Sequence, residues 1–143
     1  MNYLKEHPIQ MSWFQDRTTP ETVTYADVFA QRLSEEEKGK SVALTTSQLR
    51  KFFGAVKNLQ LKVELNGFSE SEFGMLKPKL AYAVGRAHKN NGNKECRIDD
   101  FKDVISQAID NVMACEDKKK AFDNFINFFE AIVAYHKVYG KDN

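Results

Sequence analysis

The feature that most constrains the fold is the stretch FDNFINFFEAIVAYHK at residues 122–137. From Phe125 to Tyr135 only Asn127 and Glu130 interrupt the apolar side chains, so a helix here would be apolar almost all round. Such a helix either lies at the centre of a bundle or has one face covered by another protein. The two arrangements are compatible, and the sequence alone leaves both open.

The composition of the 143-residue chain favours helices over sheets. The chain contains eleven phenylalanines but only seven glycines and three prolines, and long stretches are rich in Leu, Ala, Lys and Glu. Its length suits one domain with one core. We therefore predict an all-α fold, a single-domain bundle of about five helices.

An N-terminal arm is expected to precede the bundle. Residues 1–20 show no apolar periodicity, so the arm is ordered only if Trp13 and Phe14 anchor it to something else. The helical-bundle domain then covers residues 21–143. Its predicted helices run from Thr22 or Thr24 to Lys38, from Thr45 or Thr46 to Leu65, from Ser69 to Asn90, from Asp99 to Ala114, and from Asp117 to Tyr139.

The third predicted helix contains a proline. Pro78 lies within LKPKLAYAVGRAHK at residues 76–89, and proline lacks an amide proton and clashes with the preceding turn of a helix. A kink or a restart near Lys77 is therefore expected, because proline is favoured where a helix begins. Helical periodicity places Leu80, Val84 and Ala87 toward the core. It places Lys79, Tyr82, Arg86 and Lys89 on other sides of the helix.

Charge is segregated along the chain, although the net charge is only +1. Between residues 40 and 97, eleven lysines and arginines stand against four acidic residues, a net charge of +7, and the remainder carries −6. Such asymmetry suggests that one half of the protein faces a polyanion.

Lysines and arginines at helical spacing on the second and third predicted helices, which we call basic stripes, support a surface that faces a polyanion. Two pairs lie at helical spacing on the second helix, Arg50 with Lys57 and Lys51 with Lys62. Clustered cations bind a phosphate backbone without reading bases. On the third helix an aromatic residue between two cations, Tyr82, can contact a ribose or stack on a base. A solvated helix face would carry the same pattern, so periodicity leaves both interpretations open.

Patterns typical of catalysis are missing from the sequence. The three histidines, His7, His88 and His136, fall in different predicted elements, and none belongs to a metal-binding motif. There is no glycine-rich phosphate loop and no nucleophile elbow. Cys96 and Cys115 lack the spacing of a zinc site and are expected to be ordinary reduced thiols. We therefore predict no enzyme activity, no catalytic residue, no metal and no cofactor.

A cytoplasmic location is predicted from two further patterns. The N-terminus lacks a basic segment followed by an apolar run, which argues against a secretory signal. No stretch approaches eighteen uninterrupted apolar residues, so we expect no membrane partner.

Three motifs in one order carry a family resemblance. These are TTSQLRKFF at 45–53, LKPKLAYAVGRAHK at 76–89, and FINFFEAIVAYHK at 125–137. Together they resemble the small helical subunit of type III-A CRISPR effector complexes, the Csm complexes. The resemblance covers roughly Ser41 to Tyr139.

The resemblance implies a non-catalytic bundle that stacks in several copies as a filament inside the complex. Its implied partners are CRISPR RNA, target RNA, the other Csm subunits and further copies of itself. A basic surface would hold the backbone of the RNA duplex without sequence preference, because base pairing carries the sequence information. Arg50 and Arg86 come from the motifs as backbone contacts. Lys51, Lys57, Lys79, Tyr82 and Lys89 rest on the helical stripes.

A protein-interaction adaptor is the alternative function. Such a bundle would use the aromatic helix to hold a partner and would not bind nucleic acid.

Overall fold

Eight helices and one pair of short strands make up residues 2–140, the part of the chain that the computed structural model describes. Five of these eight helices have 14 residues or more, which confirms the predicted all-α fold. The elements in chain order are α1 (Tyr3–Glu6), α2 (Ser12–Gln15), α3 (Pro20–Leu33), β1 (Ser41–Val42), α4 (Thr46–Asn66), α5 (Glu70–Gly74), α6 (Leu76–Asn91), β2 (Glu95–Cys96), α7 (Ile98–Ala114) and α8 (Lys118–Tyr139).

The aromatic helix α8 lies at the centre of the bundle, which is the first of the two arrangements open to the sequence. It contacts α2, α3, α4 and α7. The ring of Phe129 is fully buried, and its centroid lies within 5.7–6.2 Å of those of Phe52, Phe53, Phe101 and Phe125. Aromatic rings at these separations give α4, α7 and α8 a shared core.

The N-terminal arm is folded against this core. Trp13 and Phe14 are buried, and the Phe14 ring meets Phe128 edge to face with its centroid 5.7 Å away. Asn124, buried on α8, donates its side-chain amide to the Phe14 carbonyl at 2.8 Å. Two residues that the sequence suggested as an anchor therefore contact the central helix.

The first long helix begins and ends earlier than predicted. Thr19 caps α3, because its hydroxyl accepts from the Thr22 amide while the Thr22 hydroxyl accepts from the Thr19 amide. The helix ends at Leu33 rather than at Lys38, since the Leu33 carbonyl accepts from the Leu44 amide at 2.8 Å as the chain returns. The intervening segment leaves the helix to reach β1.

The proline-containing region divides into two helices, as a restart near Pro78 predicts. The Ser69 hydroxyl accepts from the Glu72 amide and caps α5, which ends at Gly74. After Met75 the chain restarts as α6, with Pro78 in its first turn, where its missing amide proton is not required. The expected core positions follow, with Leu80 and Ala87 buried and Val84 half-buried.

A small parallel pairing of β1 with β2 was not predicted. Ser41 pairs with Glu95 and Val42 with Cys96. Arg97 reinforces the pairing, because its amide donates to the Val42 carbonyl at 3.0 Å and its guanidinium to the Glu35 carbonyl at 3.3 Å. We call this pairing, with Arg97, the clasp. It holds the segment before α4 against the segment after α6.

Candidate nucleic-acid interface

A groove runs between α4 and α6 and brings most of the predicted site together. Its central cavity has a volume of about 350 Å³. The residues that line it are Thr45, Ser47, Gln48, Lys51, Phe52, Ala55, Lys79, Tyr82, Ala83, Arg86, Ala87, Asn90 and Asn91. We call this cavity, with these lining residues, the groove.

Two neighbouring cavities extend the groove along α4. One, of about 450 Å³, lies toward the clasp and shares Thr45, Gln48 and Asn90 with the groove. The other, of about 510 Å³, lies toward Met75 and shares Ala55 and Lys79. The three cavities therefore form a continuous trough. Its walls are α4 and α6 at the groove, while segments around the clasp line one end and Glu72 of α5 lies at the other.

Helical spacing explains why each wall presents these side chains. On α4, Gln48, Lys51 and Ala55 are separated by three and four residues, so they share one face. On α6 the same spacing aligns Lys79, Ala83 and Arg86. The α4 wall is fixed at its start by a capping box, in which the Thr45 hydroxyl accepts from the Gln48 amide while Gln48 Oε1 accepts from the Thr45 amide.

The cations at the groove have no acidic partner among residues 2–140. Lys51, Lys79 and Arg86 line it, and Lys89 lies beside Arg86 in an adjoining shallow cavity. Other lysines of the same two helices are paired with carboxylates, Lys57 with Glu130, Lys62 with Glu72 and Lys77 with Asp110. The groove is therefore one part of this basic half where positive charge is left uncompensated. Among residues 2–140, Arg50 and Lys94 also have no carboxylate partner, and both lie outside the groove.

Tyr82 stands at the rim of the groove beside one of these cations. Its side chain is 68% exposed, which is unusual for a large aromatic residue. The guanidinium carbon of Arg86, one helical turn away, lies 6.0 Å from the centroid of its ring. This cation–π geometry holds an aromatic face and a positive charge next to each other.

Arg50 and Lys57 lie apart from the other five predicted site residues. Arg50 is exposed but does not line the groove, because successive residues of a helix point about 100° apart and its neighbour Lys51 points into the groove. Lys57 faces α8, where its ammonium contacts Glu130 at 3.0 Å and lies 5.8 Å from the ring centroid of Phe53. Of the seven predicted site residues, four therefore line the groove and Lys89 lies in the cavity beside it, whereas Arg50 and Lys57 lie on another side of α4.

Sequence reasoning missed the amide side chains at one end of the groove. Gln48, Asn90 and Asn91 line it there. Asn91 donates its side-chain amide to the Ala87 carbonyl at 2.7 Å, and Gln48 Oε1 takes part in the capping box. The run NNGN signals only a turn, so nothing in it distinguishes an amide that ends a helix from one that lines a groove.

His88 is held by a carboxylate behind the groove. Its Nε2 donates to Asp99 at 2.8 Å, and Cys96 Sγ lies 3.9 Å from its Nδ1. Burial, with a smaller contribution from the negative charge of Asp99, raises the pKa of the Cys96 thiol, so the arrangement favours the thiol over the nucleophilic thiolate. No cluster of three metal ligands occurs within residues 2–140.

A sequence model of the family Csm2 Type III-A matches residues 16–142 of the chain. The chain belongs to the Csm2 family. Csm2 proteins are small structural subunits of the type III-A CRISPR–Cas complexes, the Csm complexes, so the resemblance inferred from three motifs is confirmed. No curated protein and no solved structure matches the chain.

Membership of the Csm2 family places the chain among proteins that associate with other Csm subunits. The matched region includes all seven predicted site residues and omits most of the arm. None of the helices within residues 2–140 has the length and hydropathy needed to cross a bilayer.

Proposed function

We propose that this Csm2 protein is a non-catalytic, cytoplasmic subunit that stacks in several copies along the duplex of CRISPR RNA and target RNA. Each copy holds the phosphate backbone without sequence preference, and the groove supplies the contacts. The observation that supports this most is the contrast between the unpaired cations at the groove and the paired lysines elsewhere on α4 and α6.

The physical basis of this binding is the release of counterions from RNA. Unpaired lysines and arginines replace condensed cations at the phosphates, so binding weakens steeply as salt is raised. Cations already paired with carboxylates would first have to break those pairs. Because the net charge of the chain is only +1, one copy binds weakly, and stacking of copies on one RNA supplies avidity.

Lys79→Glu combined with Arg86→Glu tests the groove. We expect RNA affinity to fall about tenfold or more and the slope of log K against log salt to become shallower by about one for each phosphate that is no longer bound. Fluorescence anisotropy of a labelled RNA duplex across a salt series measures both quantities. Circular dichroism should show unchanged helicity, because both side chains are on the exposed side of α6.

Lys119→Glu combined with Lys120→Glu is the matched control, since it makes the same change in net charge at the start of α8, outside the groove. Acidic residues are favourable at a helix N-terminus, so the control should fold. Equal RNA affinity in the groove variant and the unsubstituted protein, or an equal loss in the control, would refute the assignment.

Arg50 and Lys57 are proposed as contacts on a second surface. Since Arg50 is outside the groove, Arg50→Glu alone should weaken binding only if RNA also reaches that side of α4. Unchanged affinity in this variant would remove Arg50 from the proposed RNA-binding surface.

A protein-interaction adaptor is the second candidate, favoured by exposed apolar side chains next to the trough. Leu61, Leu65 and Met75 are more than half exposed. Such residues are typical of protein contacts. Purification of the tagged protein from its host separates the two functions, because the adaptor would bring down protein partners without short RNAs.

A further inference from the structure

The groove has an apolar lining that backbone binding does not require. Its floor is made of small or buried apolar residues, Phe52, Ala55, Ala83 and Ala87, and only its rim is charged. A phosphate backbone needs positive charge at a surface. An apolar floor below that charge is instead typical of sites for a small ring-shaped ligand, and about 350 Å³ is at the lower end of the usual range of such sites, roughly 300–1,000 Å³.

We propose that the groove binds one unpaired nucleotide of the RNA, with its base on the apolar floor and its phosphate at the cationic rim. This inference rests on the proposed RNA-binding function and deepens it. The ligand chemistry is a planar aromatic ring joined to an anionic phosphate, which matches a floor of alanines beside a rim of Lys51, Lys79 and Arg86.

Tyr82 supplies the aromatic contact that an unpaired base requires. Bases that leave the stack of a helix are commonly held by aromatic side chains and guanidinium planes. Tyr82 is exposed at the rim with Arg86 beside it, so it presents such a surface without unfolding any part of the bundle. A Tyr82 that served only the core would be buried.

The amide side chains give the site its polar end. Gln48 uses Oε1 in the capping box, and within residues 2–140 no acceptor is bonded to its NH₂ group. Asn90 has no side-chain hydrogen bond within the same residues. Amides of this kind can donate to and accept from the edge of an unpaired base, whereas the edges of a paired base are occupied by its partner.

A paired base cannot reach the floor of the groove. In an A-form duplex the bases are stacked inside, and the backbone and the groove edges are what a protein touches. An unpaired or bulged nucleotide has already lost its partner, so it leaves the stack at less cost. The structure therefore favours RNA with an unpaired nucleotide over continuous duplex.

The test compares two RNA duplexes that are identical except for one bulged adenosine. The full-length protein should bind the bulged duplex at least about fivefold more tightly than the continuous duplex. The two RNAs carry nearly equal phosphate charge, so the difference in affinity would come from the unpaired base. Equal affinities for the two duplexes would overturn the inference.

Ala55→Leu combined with Ala83→Leu fills the floor without changing charge. This variant should lose the preference for the bulged duplex and keep its affinity for continuous duplex within about twofold. Ala81→Leu combined with Ala134→Leu adds the same atoms at exposed positions and should keep the preference. Tyr82→Ala should also reduce the preference for the bulged duplex. Because Tyr82 is exposed, this variant tests the inference even if the Ala55→Leu, Ala83→Leu variant does not fold. Retention of the full preference in both site variants would overturn the inference.

Two further comparisons separate this inference from its alternatives. If Lys79→Glu with Arg86→Glu weakens binding to both duplexes while the unsubstituted protein shows no preference for the bulge, the inference fails and the proposed function stands. If that variant binds both duplexes normally, the proposed site itself fails.

Free AMP should compete only weakly with the bulged duplex. AMP that bound as tightly as the bulged duplex would identify a free nucleotide as the occupant and overturn the assignment to RNA.

Discussion

Phe129→Ala should lower the free energy of unfolding by about 3–5 kcal/mol, the usual range for removing a fully buried phenylalanine. The side chain of Phe129 is 0% exposed, and its ring is in the range of aromatic contact with rings from α4, α7 and its own helix. Removal of that ring leaves a cavity where three helices meet. The loss is a large part of the total stability of a typical domain, so urea unfolding should show a much lower midpoint.

Phe53→Ala is the matched control for this prediction. Phe53 stacks on Phe129 with centroids 6.0 Å apart, but its side chain is only half-buried. Its removal should therefore cost well under half as much, because less apolar surface becomes exposed and the gap opens to solvent. Similar losses of stability in the two variants would contradict the deeper burial of Phe129 in the core.

Acidification from pH 7 to pH 5 should cost up to about 2 kcal/mol of stability through His136 alone. The side chain is 0% exposed, and its Nε2 donates to the Leu44 carbonyl at 2.8 Å, so Nδ1 carries no proton. Burial lowers the pKa of His136, and within residues 2–140 no donor reaches its Nδ1. Protonation would place an uncompensated charge in the core.

The sign of the pH effect follows from where the proton binds. The unfolded chain takes up a proton at His136 near the ordinary pKa of about 6.5. In the folded chain burial lowers the pKa of His136, so the proton binds only at lower pH. The contribution of His136 to stability is therefore complete above a pH of about 6.5 and is lost progressively as the pH falls from there toward the lower pKa of the folded chain. Urea unfolding at several pH values should show this dependence in the unsubstituted protein.

His136→Gln isolates the contribution, because glutamine can still donate to the Leu44 carbonyl but does not titrate. The difference in pH dependence between this variant and the unsubstituted protein removes the contribution of the carboxylates, which both proteins share. His7→Gln, at an exposed position, should leave the dependence unchanged. A His136→Gln variant with the full pH dependence would assign the effect to other groups.

The long helices and the core could be predicted because their signals are local, whereas the short helices α1 and α2 in the arm were not predicted. Leu80 and Ala87 are buried as their spacing predicts, and the break before Pro78 follows from the chemistry of one residue. The end of α3 could not be predicted in this way, since it depends on a hydrogen bond between Leu33 and Leu44 across a segment that folds back. Helix propensity, which depends on neighbouring residues, cannot predict a hydrogen bond between two segments that meet only in the folded chain.

The groove could be predicted only in part, for the same reason. Periodicity relates Lys79 to Arg86 because both lie on one helix, but it cannot relate either of them to Lys51 on another helix. It grouped Arg50 with Lys57 because they lie seven residues apart on α4, but it could not show that Lys57 pairs with Glu130 on α8. The apolar floor between the helices depends on how α4 and α6 are separated, which is a property of the whole bundle.

The clasp has a consequence for the order in which the protein folds. Its strands enclose residues 43–94, so pairing them closes a long loop, and the entropy of that closure exceeds what a two-residue pairing returns. The clasp is therefore expected to form after the enclosed helices have packed on α7 and α8, and to open before them. Local opening of this kind leaves the aromatic core intact. The end of the groove nearest the clasp can therefore open and close while the bundle stays folded.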